Sequence, residues 1–158
     1  DVEAALAATT WYPADRGYGV LIAPEGAVED MGSQGQNIVC GVIINHYDPF
    51  DGEGDGTLEE ATDDLVRQIL RGSPHLREEG GSEQRQRVDG ARGISVDLEG
   101  RSPVTGENER VRVLTRELTD GHVLYALFVT PRDEASRIEP AFDRMVDSLH
   151  VDDRVAHR

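Results

Sequence analysis

Residues 48–74, DPFDGEGDGTLEEATDDLVRQILRGSP, decide the fold of this chain. A carboxylate-rich glycine loop leads into the best-signalled helix of the sequence. Thr57 and Glu60 form a T-x-x-E capping box, in which each side chain satisfies a backbone N–H at the helix start. Leu58, Ala61, Leu65, Val66, Ile69 and Leu70 recur at i, i+3, i+4, i+7, the spacing of one buried stripe. Gly72 predicts a left-handed stop, and Pro74 forbids continuation.

Around this helix the pattern predicts strands. GYGVLIAP at 17–24 reads as a first strand, and residues 37–47, apolar on both faces, as a central one. Beyond the helix, residues 82–88 are strand-like and Asp89-Gly90 is a hairpin turn signal. Residues 92–98 alternate, which places Ile94, Val96 and Leu98 inward and Ser95 and Asp97 outward. GRSPVTGEN predicts a hairpin tip, residues 109–118 another strand, and Asp120-Gly121 a turn into HVLYALFVT at 122–130, which is again central. Ile138, Phe142, Met145, Val146 and Leu149 form a last helical stripe, with Pro140 fitting its first turn. The order β-β-α-β-β-β-β-α predicts an α+β fold, an antiparallel sheet of about six strands with two main amphipathic helices packed on it. Residues 1–16 are expected to be a linker or N-terminal extension anchored by Trp11 and Tyr12, residues 17–151 one domain, and residues 152–158 a polar tail.

A net charge of −15, with every one of the 16 basic residues an Arg, repels phosphate backbones and argues against nucleic acid or anionic lipid as a partner. No apolar run approaches the roughly 18 residues of a helical membrane span. The single cysteine, Cys40, rules out an internal disulfide and reads as a small buried hydrophobe in NIVCGVII. The sequence starts at Asp1 without a visible signal peptide, the expectation for an excised domain or a processed product.

The acidic loop (48–60) is the most tempting site. Aligned as a calcium loop, Asp51, Glu53 and Asp55 take positions 1, 3 and 5 and Gly56 the sharp turn, but Thr62 occupies the closing position that needs a bidentate carboxylate. Calcium is therefore a secondary expectation, set against a solvated loop whose acids favour the helix N-terminus. A phosphate cradle at G-E-G-D-G lacks the Lys and would repel phosphate. His46, His75, His122, His150 and His157 show no zinc spacing; His46 and His122 could meet in space, though nothing in the pattern demands it. No G-x-S-x-G elbow is present, and no two of the 31 acids stand out as a glycosidase pair. Arg101, Arg110, Arg112 and Arg116 could form a basic stripe for an acidic partner, or pair with neighbouring acids across the sheet. Tyr47, Phe50 and Trp11 could line a groove.

The strands, the helix TLEEATDDLVRQIL and the ending LFVTPRDEASRIEPAFDRMVDSLHV together resemble the PsbP-like (Mog-type) α+β fold, whose members often end in a Phe-x-x-Met/Ile-x-x-Ser-Leu/Phe helix, here Phe142, Met145, Ser148 and Leu149. More narrowly, GVIINHYDP, LRGSPHLR, GRSPVTGENERV and VLYALFVTP resemble the C-terminal extension of bacterial HtpX/BepA-type zinc metallopeptidases, over residues 17–151. That resemblance implies a non-catalytic accessory domain of an envelope, periplasmic or secreted protease, docking a substrate, a protein partner, the peptidase domain of the same chain or an envelope component. It implies zinc in the peptidase part and no cofactor in this segment, because HExxH is absent and no catalytic residue carries over. The rival readings are a calcium-stabilised or ligand-binding module built on the acidic loop, and an independent hydrolase.

Overall fold

The structure, a computed structural model, describes residues 10–11, 20–22, 28–30, 36–38, 41–47, 56–103, 105–118 and 122–151. The strands are β1 (Thr10–Trp11), β2 (Val20–Ile22), β3 (Val28–Asp30), β4 (Gln36–Ile38), β5 (Gly41–Tyr47), β6 (Leu76–Glu78), β7 (Gln84–Val88), β8 (Ala91–Arg101), β9 (Asn108–Glu117), β10 (Val123–Pro131) and β11 (His150–Val151). The helices are α1 (Leu58–Gly72) and α2 (Ala135–Ser148), the latter entered through a 3-10 turn at Arg132–Glu134.

The capping box forms as read: Glu60 N–H donates to Thr57 Oγ1 at 3.2 Å and Thr57 N–H to Glu60 Oε2 at 3.4 Å. The helix ends differently from the expectation. Gly72 stays within α1, and Ser73 caps it in a non-helical conformation (φ −135°, ψ 72°) with its N–H on Ile69 O at 2.8 Å. A residue that precedes proline is driven out of the α region, so Pro74 stops the helix through Ser73 and no left-handed glycine is needed. Likewise α2 starts at Ala135, which places Pro140 inside the helix instead of in its first turn. The buried Ala135 and the 3-10 turn after Pro131 seed the helix early.

One seven-stranded sheet runs β2–β5–β10–β9–β8, with β6 and β7 each pairing with β8 at 98–100 and 91–95 respectively. All its pairings are antiparallel. Two short pairs form separate two-stranded sheets: β3 with β4 antiparallel, and β1 with β11 parallel. The β7–β8 hairpin closes on Asp89 (φ 47°) and Gly90 (φ 81°), the two left-handed residues a two-residue hairpin requires.

The helices take opposite faces of the sheet. On one, Leu58, Ala61, Leu65 and Val66 of α1 pack on Ile94, Val96, Leu98, Val111, Val113 and Val129. On the other, Phe142, Met145 and Leu149 at α2 pack on Val42, Ile44, Leu114, Leu124, Ala126 and Phe128, with the Phe128 and Phe142 rings 4.9 Å apart. Burial on both sides explains why β5 and β10 read as unbroken apolar runs. It also corrects the outward assignment of Ser95 and Asp97: both are buried, Ser95 between β7 and β9 and Asp97 under the guanidinium groups of Arg110 and Arg112. At the crossing of β6 and β8, a Cβ on Gly100 would sit 2.0 Å from His75 O, so only glycine admits that approach.

Of the calcium-loop residues, Asp51, Glu53 and Asp55 lie outside the described residues. So do Phe50, Tyr12, the Asp120-Gly121 turn and residues 152–158. Thr62 is described and turns inward: its hydroxyl donates to Leu58 O at 2.7 Å and meets Thr115 Oγ1 at 2.7 Å, in the core between α1 and β9.

Candidate functional site

The α2 side of the sheet carries most of the polar chemistry, because β8 and β9 alternate charged residues onto it. Asp97 is the hub. Its Oδ2 accepts from Arg110 Nη2 at 2.8 Å and its Oδ1 from Arg112 Nε at 3.0 Å. Arg110 also reaches Glu79 at 3.3 Å and Glu139 at 3.2 Å, and Arg112 reaches Asp143 at 3.1 Å. The loop after β6 closes over the hub: Ser82 Oγ accepts from Asp97 N–H at 3.0 Å and Glu79 N–H donates to Asp97 O at 2.9 Å. Burial opposes the charge on Arg110, but the hydrogen bond and charge of Asp97, with Glu139 and Glu79 behind it, outweigh burial and raise its pKa. Arg110 Nε is buried with no hydrogen-bond partner among the described residues.

Next to this cluster, α2 leaves part of the sheet uncovered. A groove of about 310 Å³ opens between α2 and the β7–β8 hairpin. Most of the surface it offers is polar, from Gln84, Gln86, Ser95, Arg112, Asp143 and Asp147, while Leu114, Phe128 and Phe142 beneath it are buried and Val146 is partly buried. On the opposite face of β7 lies a second groove of about 230 Å³, bounded by Leu58, Glu59, Arg85, Arg87, Arg92 and Ile94.

The four arginines named from sequence have separate fates. Arg110 and Arg112 come together and pair with acids. Arg116 is buried, its guanidinium donating to Val88 O at 2.7 Å, Asp89 O at 3.2 Å and Glu117 O at 3.1 Å, a clamp on the β7–β8 turn. Arg101 is exposed at the end of β8. Gln84 and Gln86 were missed; only their place on a strand beside a groove marks them, and that is tertiary information. His46 and His122, left apart by the pattern, do meet: His46 is buried, and the two Nδ1 atoms lie 3.2 Å apart, one ring donating to the other. The register of β5 and β10, which sets His46 opposite Leu124, brings them to the same end of the sheet. Among the described residues no group of three His, Cys, Asp or Glu side chains is arranged to hold a metal ion. No described helix is long and apolar enough to cross a membrane.

No family model and no curated protein sequence matches the chain. Solved structures do. PA94 from Pseudomonas aeruginosa, a protein of unknown function, superposes with a TM-score of 0.57 at 15% identity, over 84% of this chain and 82% of that one. LpqN of Mycobacterium tuberculosis, involved in cell envelope biogenesis, gives 0.49 at 14%, over 88% and 87%. Cyanobacterial PsbP (CyanoP) from Synechocystis sp. PCC 6803 gives 0.53 at 12%, over 85% and 82%. The capped α1, the antiparallel sheet and the Phe142 helix on its far face thus share the α+β fold of cyanobacterial PsbP.

Proposed function

We propose that this chain is a non-catalytic interaction domain that docks a protein partner in the groove between α2 and the β7–β8 hairpin. The observation that carries the reading is the groove itself, a largely polar cleft of amides and charges from Gln84, Gln86, Ser95, Arg112, Asp143 and Asp147, set over Val146 and the buried Phe128 and Phe142. Such a lining suits a polar partner segment held by hydrogen bonds and ion pairs. The Asp97 cluster stiffens one wall, because Arg112 belongs to both. The finer context rests on the sequence resemblance to the C-terminal extension of HtpX/BepA-type zinc metallopeptidases. In that reading the domain serves a bacterial envelope protease whose zinc is held elsewhere, and it engages substrate, partner or the peptidase domain.

Site-specific photo-cross-linking in the native host tests the docking. A cross-linking residue replacing Gln84, on the rim, is expected to give a discrete protein adduct, whereas one replacing the exposed Arg67 of α1 gives none. Identical adduct patterns from both positions would sink the reading.

A further inference from the structure

The groove between α2 and the β7–β8 hairpin carries an excess of negative charge and hydrogen-bonding groups with nothing to bond. Gln84 and Ser95 stand opposite each other in the β7–β8 register, with Leu114 next in line on β9. Ser95 is only 7% exposed, yet it lines the groove and its hydroxyl has no hydrogen-bond partner among the described residues. The side-chain amides of Gln84 and Gln86, beside it on β7, are unpaired among them as well. A buried hydroxyl without a partner bears a desolvation cost that a ligand group placed against it would remove. On the helix side, Asp143 and Asp147 lie one turn apart on α2 and both line the groove. Arg112 occupies Asp143 Oδ1 at 3.1 Å, whereas Asp147 has no ion pair among the described residues.

The cluster behind this wall sets the sign of the field. Arg112 donates to both Asp97 and Asp143, so its guanidinium is compensated before any ligand arrives. Together with Arg110 it faces five carboxylates, Glu79, Asp97, Glu139, Asp143 and Asp147, which leaves three negative charges in excess. A cleft with that balance attracts cations and disfavours carboxylates and phosphates. From this we infer that the groove takes an arginine side chain of the docked partner. The inference rests on the docking reading above and names the chemistry of the occupant. Acceptors come from three elements: the carboxylates of Asp143 and Asp147 on α2, the amide oxygens of Gln84 and Gln86 on β7, and the Ser95 hydroxyl on β8. A guanidinium has donors only, spread around a plane, and pairs bidentately with a carboxylate. The lysine ammonium is a compact point charge that matches the sign of the site but not its spread of acceptors.

The test titrates the full chain with three capped tripeptides, Gly-X-Gly, in which X is arginine, its neutral isostere citrulline, or lysine. Binding is read from the side-chain amide NMR signals of Gln84 and Gln86. The arginine peptide is expected to bind about tenfold more tightly than the citrulline peptide and about threefold more tightly than the lysine peptide. Asp143 and Asp147 are exposed, so D143N/D147N keeps the fold, and it is expected to weaken the arginine peptide about tenfold while leaving the citrulline peptide unchanged. Ser95→Ala is expected to weaken the arginine peptide about threefold. Asp63→Asn, which removes one exposed carboxylate of α1 on the other face of the sheet, leaves all three affinities unchanged. Citrulline or lysine binding as tightly as arginine overturns the inference. So does unaltered arginine binding by D143N/D147N, or an equal loss from Asp63→Asn. If Gln84 adducts in the host survive D143N/D147N, the arginine fails and groove docking stands. Arginine preference without adducts removes the docking reading and leaves the specificity of the groove standing.

Discussion

Asp97 holds two guanidinium groups at once, and its removal leaves both half-buried arginines short of an acceptor on the sheet. Breaking a largely buried pair costs more than the pair contributes, because the remaining charge stays desolvated. Asp97→Ala is expected to lower the unfolding free energy by roughly 2–4 kcal/mol, discounted from the fully buried case because Arg110 and Arg112 retain some solvent and the acids of α2. Urea denaturation measures this, and an unchanged midpoint would show that water already screens the cluster. A second residue-scale effect sits at Glu117. The hydrogen bond from Arg92 pulls its carboxyl below the ordinary carboxylate range, against a smaller opposing effect of burial. A lowered folded-state value means stability present above the ordinary range and lost as the pH falls through the lowered value. The melting temperature of the wild type should therefore fall more steeply below about pH 4 than that of Arg92→Gln. Parallel acid profiles would exclude the pair as a contributor.

At the level of elements, α1 is tied to β9 by more than apolar area. The Thr62 and Thr115 hydroxyls meet at 2.7 Å in the core, beside the Leu58 and Ile94 carbonyls within their reach, so the two side chains share one buried polar cluster. A double-mutant cycle with Thr62→Val and Thr115→Val should give a coupling of about 1 kcal/mol, with the double variant less destabilised than the two singles summed. Additive losses would mean that the helix carbonyl of Leu58 and the strand carbonyl of Ile94 suffice for each hydroxyl. Local rules made the cap, the stripe and the stop before Pro74 of α1 legible, since these need only neighbours in sequence, while the left-handed ending expected at Gly72 was not realised. The same holds for the Asp89-Gly90 hairpin. The start of α2 was not legible, because Ala135 is held by burial while Pro140, read alone, belongs at a first turn. The strand β6 was also missed, since three residues with a single buried side chain give alternation nothing to repeat.

For the molecule as a whole, a charge of −15 makes the folded state repel itself, and salt screens that repulsion over about 8–10 Å near physiological ionic strength. Exposed ion pairs such as Arg77–Glu99 and Arg137–Glu134 are worth little, so their loss to screening does not reverse the sign. The melting temperature is expected to rise between about 20 mM and 300 mM sodium chloride, an ionic-strength span over which surface repulsion is largely quenched. A fall would show that the ion pairs on the α2 face outweigh the net charge. The layered arrangement also explains how the groove arises. A single 14-residue helix covers the face over β5, β10 and part of β9, and cannot reach the β7–β8 edge as well.

Periodicity, caps and turn dipeptides specified the α+β class, both helices and the main hairpins, since each depends on contacts a few residues apart. Which face each helix covers is a long-range matter, and it made Asp97 a buried hub, turned Arg116 inward onto the Val88 and Asp89 carbonyls, and joined His46 to His122 across 76 positions. The groove belongs to that second group. Its floor comes from β9, β10 and α2 and its rim from β7, β8, β9 and α2, and no stretch of sequence contains its shape, because only the packing of α2 on the sheet leaves that edge open.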